Sequence, residues 1–134
     1  ARLVAGRMLE GAVVTSFDEI VDVIDAGQIP VLAPSRCLLE ADPLPHTWDV
    51  SSDSIAAWVA GSVGARHLIL IKPPGVGYYS REALEMAGLD KWAGLSGNGS
   101  LVDAYFPQAL PERVMVTIVP GDQVEELSRA MCEF

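Results

Sequence analysis

Apolar residues fall into short runs separated by stretches of helical periodicity. The strongest run, Leu68-Ile69-Leu70-Ile71, is continuous rather than alternating, which predicts a parallel strand over residues 66–71 covered on both faces. Residues 29–33, Ile-Pro-Val-Leu-Ala, predict a second buried strand, with Pro30 near its start where a missing N–H is tolerable. A third covers residues 114–119. Residues 13–26 predict a helix: Ser16 stands as N-cap, Glu19 is at capping-box spacing, and Ile20, Val21, Val23 and Ile24 form the apolar face. Gly27 stops it. A helix over 54–63 has Ser51, Ser52 or Asp53 as cap and Ile55, Trp58 and Val59 on its apolar side, and Gly64 ends it. Further helices are expected over 80–88, 101–110 and 122–131, with a turn-rich stretch over 89–100.

Strands that alternate with helices define an α/β fold: one domain over residues 1–134 with an open, mostly parallel sheet and helices on both faces. Two connections stand out. Residues 34–50, with Pro34, Pro43 and Pro45, predict a long connection without regular structure, which in a compact domain signals a functional loop. Residues 72–79, Lys-Pro-Pro-Gly-Val-Gly-Tyr-Tyr, form a glycine-rich turn. Both loops begin at the carboxyl ends of strands, where open α/β sheets bind ligands.

Composition narrows the partners. The chain has 134 residues, large enough for a real core, and carries 9 Lys plus Arg against 18 Asp plus Glu, a net charge of −9. With no basic stripe to displace counterions, nucleic acid and anionic membrane surfaces are disfavoured. The two cysteines, Cys37 and Cys132, form no C-x-x-C motif, and only two histidines occur, so no protein-held metal is expected. One pair of cysteines in so apolar a chain suggests reduced thiols and a cytoplasmic location, with a disulfide left open. No run approaches the length of a membrane span, and residues at the start do not follow the signal-peptide pattern.

The candidate chemistry sits in the two loops. Asp53 at a helix start is either a simple cap or an acid that orients cations at a phosphate site. Ser51, Ser52 and Ser54 add hydroxyls and N–H groups suited to anionic oxygens. Lys72, one of two lysines, either snorkels at the sheet edge or holds a phosphate, with Gly75 and Gly77 allowing close backbone approach. Neither G-x-x-x-x-G-K-[ST] nor G-x-G-x-x-G is present. His46 reads as a loop hydrogen-bonder, His67 as structural and Cys37 as a buried spectator. Ser96-Gly97-Asn98-Gly99-Ser100 reads as a surface turn, with a ligand cover as the alternative. Trp48, Trp58 and Trp92 read as packing residues, with the lining of an adenine or ring pocket as the alternative.

Taken in order, these segments resemble the carboxyl-terminal half of the amino acid kinase superfamily. The carriers are Ile29-Pro30-Val31-Leu32-Ala33-Pro34, the Ser52-Asp53-Ser54 element opening a small-residue helix, the strand and turn from Ile69 to Tyr78, and the closing strand and turn from Val114 to Gly121. Residues 44–53 and 101–107 are most similar to small kinases of methanofuran-type C1-cofactor synthesis, which phosphorylate an aminomethylfuran phosphate to a diphosphate. The resemblance implies a three-layer sandwich, of which this chain supplies the carboxyl-terminal half, and ATP-dependent phosphoryl transfer to a small-molecule acceptor with Mg²⁺. It makes Asp53 the catalytic acid that organises the phosphate-binding cations. It places Lys72, Gly75, Val76, Gly77 and Tyr78 against the nucleotide and Ser52 and Ser54 in substrate binding.

Three departures bear on that expectation. Pro74 stands where the family often has Asp, and the family's Gly-Gly-Met-x-x-Lys segment is absent. Residues 1–26 carry no Lys-Leu-Gly-Gly-Ser type loop, so the resemblance implies an amino-terminal half supplied upstream or by a companion chain, or else a homo-oligomer. Two other readings remain: a kinase-like domain that binds a nucleotide or phosphorylated metabolite without turnover, and a structural module that pairs with another chain.

Overall fold

The structure is a computed structural model that describes residues 10–80 and 101–132, together with Gly6. It is mixed α/β, and the chain divides after Pro43 into two compact units.

The first unit is a strand–helix–strand–helix segment. Strand β1 (Gly11–Val14) pairs in parallel with β2 (Ile29–Leu32), from Gly11 opposite Ile29 to Val14 opposite Leu32, and helix α1 (Asp18–Asp25) is the crossover between them. Helix α2 (Ser35–Ala41) follows. The single helix expected over 13–26 is therefore two elements. Ala12, Val13 and Val14 supply the ladder that β2 needs, and Val14 is essentially fully buried. The helix starts only after Thr15 and Ser16. Its capping contact also differs from the expected one: Glu19 Oε2 accepts the Thr15 N–H at 2.8 Å, and that N–H is the main reason the Glu19 carboxyl is held below its ordinary range. Gly27, at φ +74°, ends the helix as expected.

The connection over 34–50 is also partly regular, because residues 35–41 are α2. An Arg36–Glu40 pair at 2.8 Å supports its exposed face, and the buried Cys37 thiol donates to the Thr15 carbonyl at 3.3 Å. Asp42, in the left-handed conformation at φ 43°, closes the helix.

The second unit holds α3 (Ser52–Ser62), β3 (His67–Lys72), α4 (Phe106–Ala109), β4 (Met115–Pro120) and α5 (Val124–Cys132). Strands β3 and β4 are parallel, His67 opposite Met115 through Lys72 opposite Pro120. The Met115 N–H reaches Arg66 and the Gly121 N–H reaches Lys72 at 2.8 Å. Ile118, pointing its backbone the other way, exchanges two 3.0 Å hydrogen bonds with Tyr79 in an antiparallel bridge. The chain thus crosses from β3, over the carboxyl end of β4, to the opposite edge of β4. With neighbours on both edges, β4 is buried almost throughout. By contrast β3, expected to be covered on both faces, buries only Leu70 and leaves Ile71 exposed. Strand β2, expected to be buried, has no buried residue and an exposed Ile29. Each of these two has a described strand neighbour on one edge only. Leu70, Val102, Phe106, Val116, Ile118 and Ala57 form the core. His67 Nε2 lies 2.9 Å from Thr117 Oγ1 across the sheet, a structural role as expected.

The helix expected over 101–110 shrinks to residues 106–109, because the segment before it binds α3 instead. The expected helix over 80–88, the turn-rich stretch over 89–100, the Ser96–Ser100 turn and Trp92 lie outside the described residues, apart from Ser80. Among the described residues no helix is long and apolar enough to cross a membrane.

Candidate functional site

Helix α3 packs beside β3, so the amino end of the helix and the carboxyl end of the strand contribute to one site. Asp53 occupies the first turn of α3, where the helix dipole favours a carboxylate. Lys72 is the last residue of β3. Its Nζ donates to Asp53 Oδ1 at 2.6 Å, and the two side chains are only 16% and 13% exposed. Partial removal from water makes such a pair costly unless the remaining polar atoms are also satisfied. Here Asp53 Oδ2 accepts the Asp103 N–H at 3.1 Å.

Asp103 is the centre of the arrangement. Its Oδ2 accepts the Ser51 N–H at 2.9 Å, the Ser51 hydroxyl at 2.8 Å and the Ser54 N–H at 2.9 Å. Its Oδ1 accepts the Ser54 hydroxyl and the Phe106 N–H, the latter at 2.9 Å. One carboxylate therefore caps two helices, α4 directly downstream and α3 from far along the chain. The Tyr105 N–H to Asp49 carbonyl bond, at 3.0 Å, extends the seam between the two segments. Burial alone pushes the Asp103 carboxyl up, but the hydrogen bonds from Ser54 and Ser51 outweigh it and hold the group below its ordinary range.

That direction fixes a pH dependence. A carboxyl whose folded pKa is depressed stabilises the fold above its unfolded value, near 3.8, and loses that contribution as pH falls through the lower folded value. The stability gap between the native protein and Asp103→Asn is expected to be constant above about pH 5 and to close below about pH 4. Urea midpoints measured from pH 7 to pH 3 test this, and a gap that widens in acid contradicts it.

The glycine-rich turn follows Lys72. Gly75 takes φ +92°, a conformation that side chains rarely adopt, and a Cβ there would meet open space. Val76 packs on the core, as does Tyr79, whose ring would lie 3.3 Å from a Cβ at Gly77. Gly75, Val76, Gly77 and the half-buried Tyr78 thus form the arch that carries the chain from Lys72 over the end of β4.

Of the residues selected from sequence, the structure joins Asp53 to Lys72 directly. Ser52 is exposed at the start of α3, whereas Ser54 is fully buried with its hydroxyl given to Asp103. His46 is exposed on its loop and Trp58 is half-buried on α3, but Trp48 is fully exposed rather than packed. Cys37 and Cys132 are free thiols. Sequence reasoning missed Asp103 as a site residue. An Asp shortly before Phe106-Pro107 does signal a cap for α4, but nothing local signals its bonds to Ser51 and Ser54.

Among the described residues, no three His, Cys, Asp or Glu side chains gather as a metal set. No protein-family model, no curated protein and no solved structure matches the chain.

Proposed function

We propose that this chain supplies the ATP-binding half of a small-molecule kinase, with an open α/β sheet of the amino acid kinase type. The observation that carries the reading is the shielded Lys72–Asp53 pair where β3 ends and α3 begins, next to the Gly75 turn. Lys72 presents a cation whose position is fixed before any ligand arrives, so little reorganisation accompanies charge development on a transferred phosphoryl group. Asp53 holds that amine in place. The Gly75 turn, free of side chains on the open side, lets phosphate oxygens approach the backbone. Mg²⁺, when bound with ATP, neutralises phosphate charge. The resemblance points to an aminomethylfuran phosphate as the first acceptor to try.

Titration of the full protein with Mg-ATP tests the reading. Lys72→Met is expected to weaken Mg-ATP roughly tenfold to a hundredfold, the range set by losing one hydrogen bond to a charged group, and to weaken the acceptor much less. Equal weakening of both ligands contradicts the assigned role of Lys72. Mg-ATP binding without turnover of any acceptor reduces the reading to a non-catalytic nucleotide-binding domain, and no Mg-ATP binding at all overturns it.

A further inference from the structure

We propose that Asp103 is a positioning residue for the Lys72–Asp53 pair, acting through the first turn of α3; the functional importance of the pair rests on the phosphate-site reading above. Five donors converge on the Asp103 carboxylate, from Ser51, Ser54 and Phe106. A carboxylate offers about four lone-pair sites, so no acceptor capacity is left for a metal or a substrate proton. Asp103 therefore does not touch the reacting atoms. What it holds is informative. Ser51 and Ser54 flank Asp53 on both sides in sequence, so gripping both fixes the backbone that carries Asp53. The Asp103 N–H then fixes the side chain itself through Oδ2, leaving Oδ1 to meet Lys72.

The far end of this chain of contacts is anchored in the core. Asp103 Oδ1 caps α4 at the Phe106 N–H, and Phe106 is fully buried. A continuous path of hydrogen bonds thus runs from a core aromatic residue through Asp103 and Asp53 to the amine of Lys72. The same arrangement fills the amino end of α3 with this chain's own carboxylate. At that end the Ser51 and Ser54 N–H groups are thereby given to Asp103.

The sequence supplies a probe, because its two lysines are Lys72 and Lys91. Limited acylation of the folded full chain, followed by peptide mass spectrometry, reads Lys72 against Lys91 as internal reference. Asp103→Ala is expected to raise the Lys72 to Lys91 ratio about tenfold, the factor that accompanies loss of one hydrogen bond holding a charged pair. Asp103→Asn keeps one accepting oxygen and is expected to fall between. If Asp103 only caps helices, both variants lower the urea midpoint while the ratio stays within about twofold of the native value, and the proposal fails. Should Asp103→Ala not fold, the Asp103→Asn comparison decides alone. Acylation with and without Mg-ATP separates the two readings. Shielding of native Lys72 by Mg-ATP supports the phosphate site. A raised ratio in the variants without such shielding upholds the positioning role and overturns the phosphate site only.

Discussion

Under the proposed kinase reading, Asp53→Asn is expected to slow phosphoryl transfer from Mg-ATP by the full protein about a hundredfold or more, a loss typical of removing one preorganised electrostatic group. The geometry explains why an isosteric change is so costly. Asp53 accepts on both oxygens, from Lys72 Nζ at 2.6 Å and from the Asp103 N–H at 3.1 Å. An Asn side chain has a single accepting oxygen. Whichever way it is turned, its amide hydrogens face either the ammonium group or the backbone N–H, donor against donor. Lys72 also loses its counter-charge. It then spreads over several rotamers, and its ordering must accompany each turnover rather than precede it. The fold should suffer less, by about 1–3 kcal/mol, because the hydrogen bonds of Asp103 to Ser51, Ser54 and Phe106 do not involve the Asp53 side chain. Single-turnover rates and urea unfolding of the same preparation separate the two effects. An unchanged rate removes Asp53 from the mechanism, and a rate loss matched by global unfolding makes its role structural.

How far the sequence foretold this arrangement depends on the range of the interactions involved. Strands β2, β3 and β4 were legible because each is a run of apolar residues bounded by Gly, Pro or polar residues, a strictly local signal. Strand β1 was not: Val13 and Val14 read as the first turn of the helix that follows, and only pairing with β2 makes residues 11–14 a strand. Helix α2 was hidden by the prolines around it, although Arg36 and Glu40 stand at helical spacing. In the site, the types and order of Asp53 and Lys72 singled them out, but their contact is tertiary. Asp103 has no local signal of its role toward α3. Its carboxylate answers a shortage of acceptors at the start of α3, some fifty residues earlier, and no pattern within one segment encodes that.

The same distance makes the core beneath Asp103 a sensitive place to perturb. Phe106→Ala is expected to destabilise the second unit by about 3–5 kcal/mol, the upper range for truncating a buried side chain. Phe106 is fully buried among Leu70, Val102, Val116 and Ile118, with Ala57 of α3 opposite. The surroundings are poorly placed to collapse into the void. Val116 and Ile118 are held by the β4 ladder, Leu70 by β3, and Ala57 has only a methyl group, too short to reach into the void. Marginal stabilities of about 5–15 kcal/mol mean that such a loss removes a large share of the total. Phe106→Leu, which keeps most of the volume, should cost far less. The two variants should also differ at Lys72, because Phe106 anchors the segment through which Asp103 grips α3. Under conditions where both remain folded, the alanine variant should loosen the Lys72–Asp53 pair more than the leucine variant. Urea unfolding gives the first comparison and Lys72 acylation the second. A cost below about 1 kcal/mol for Phe106→Ala is incompatible with a close-packed core at this position. Equal Lys72 reactivity in the two folded variants, despite unequal stability, shows instead that the seam from Asp103 to Asp53 holds without support from the core.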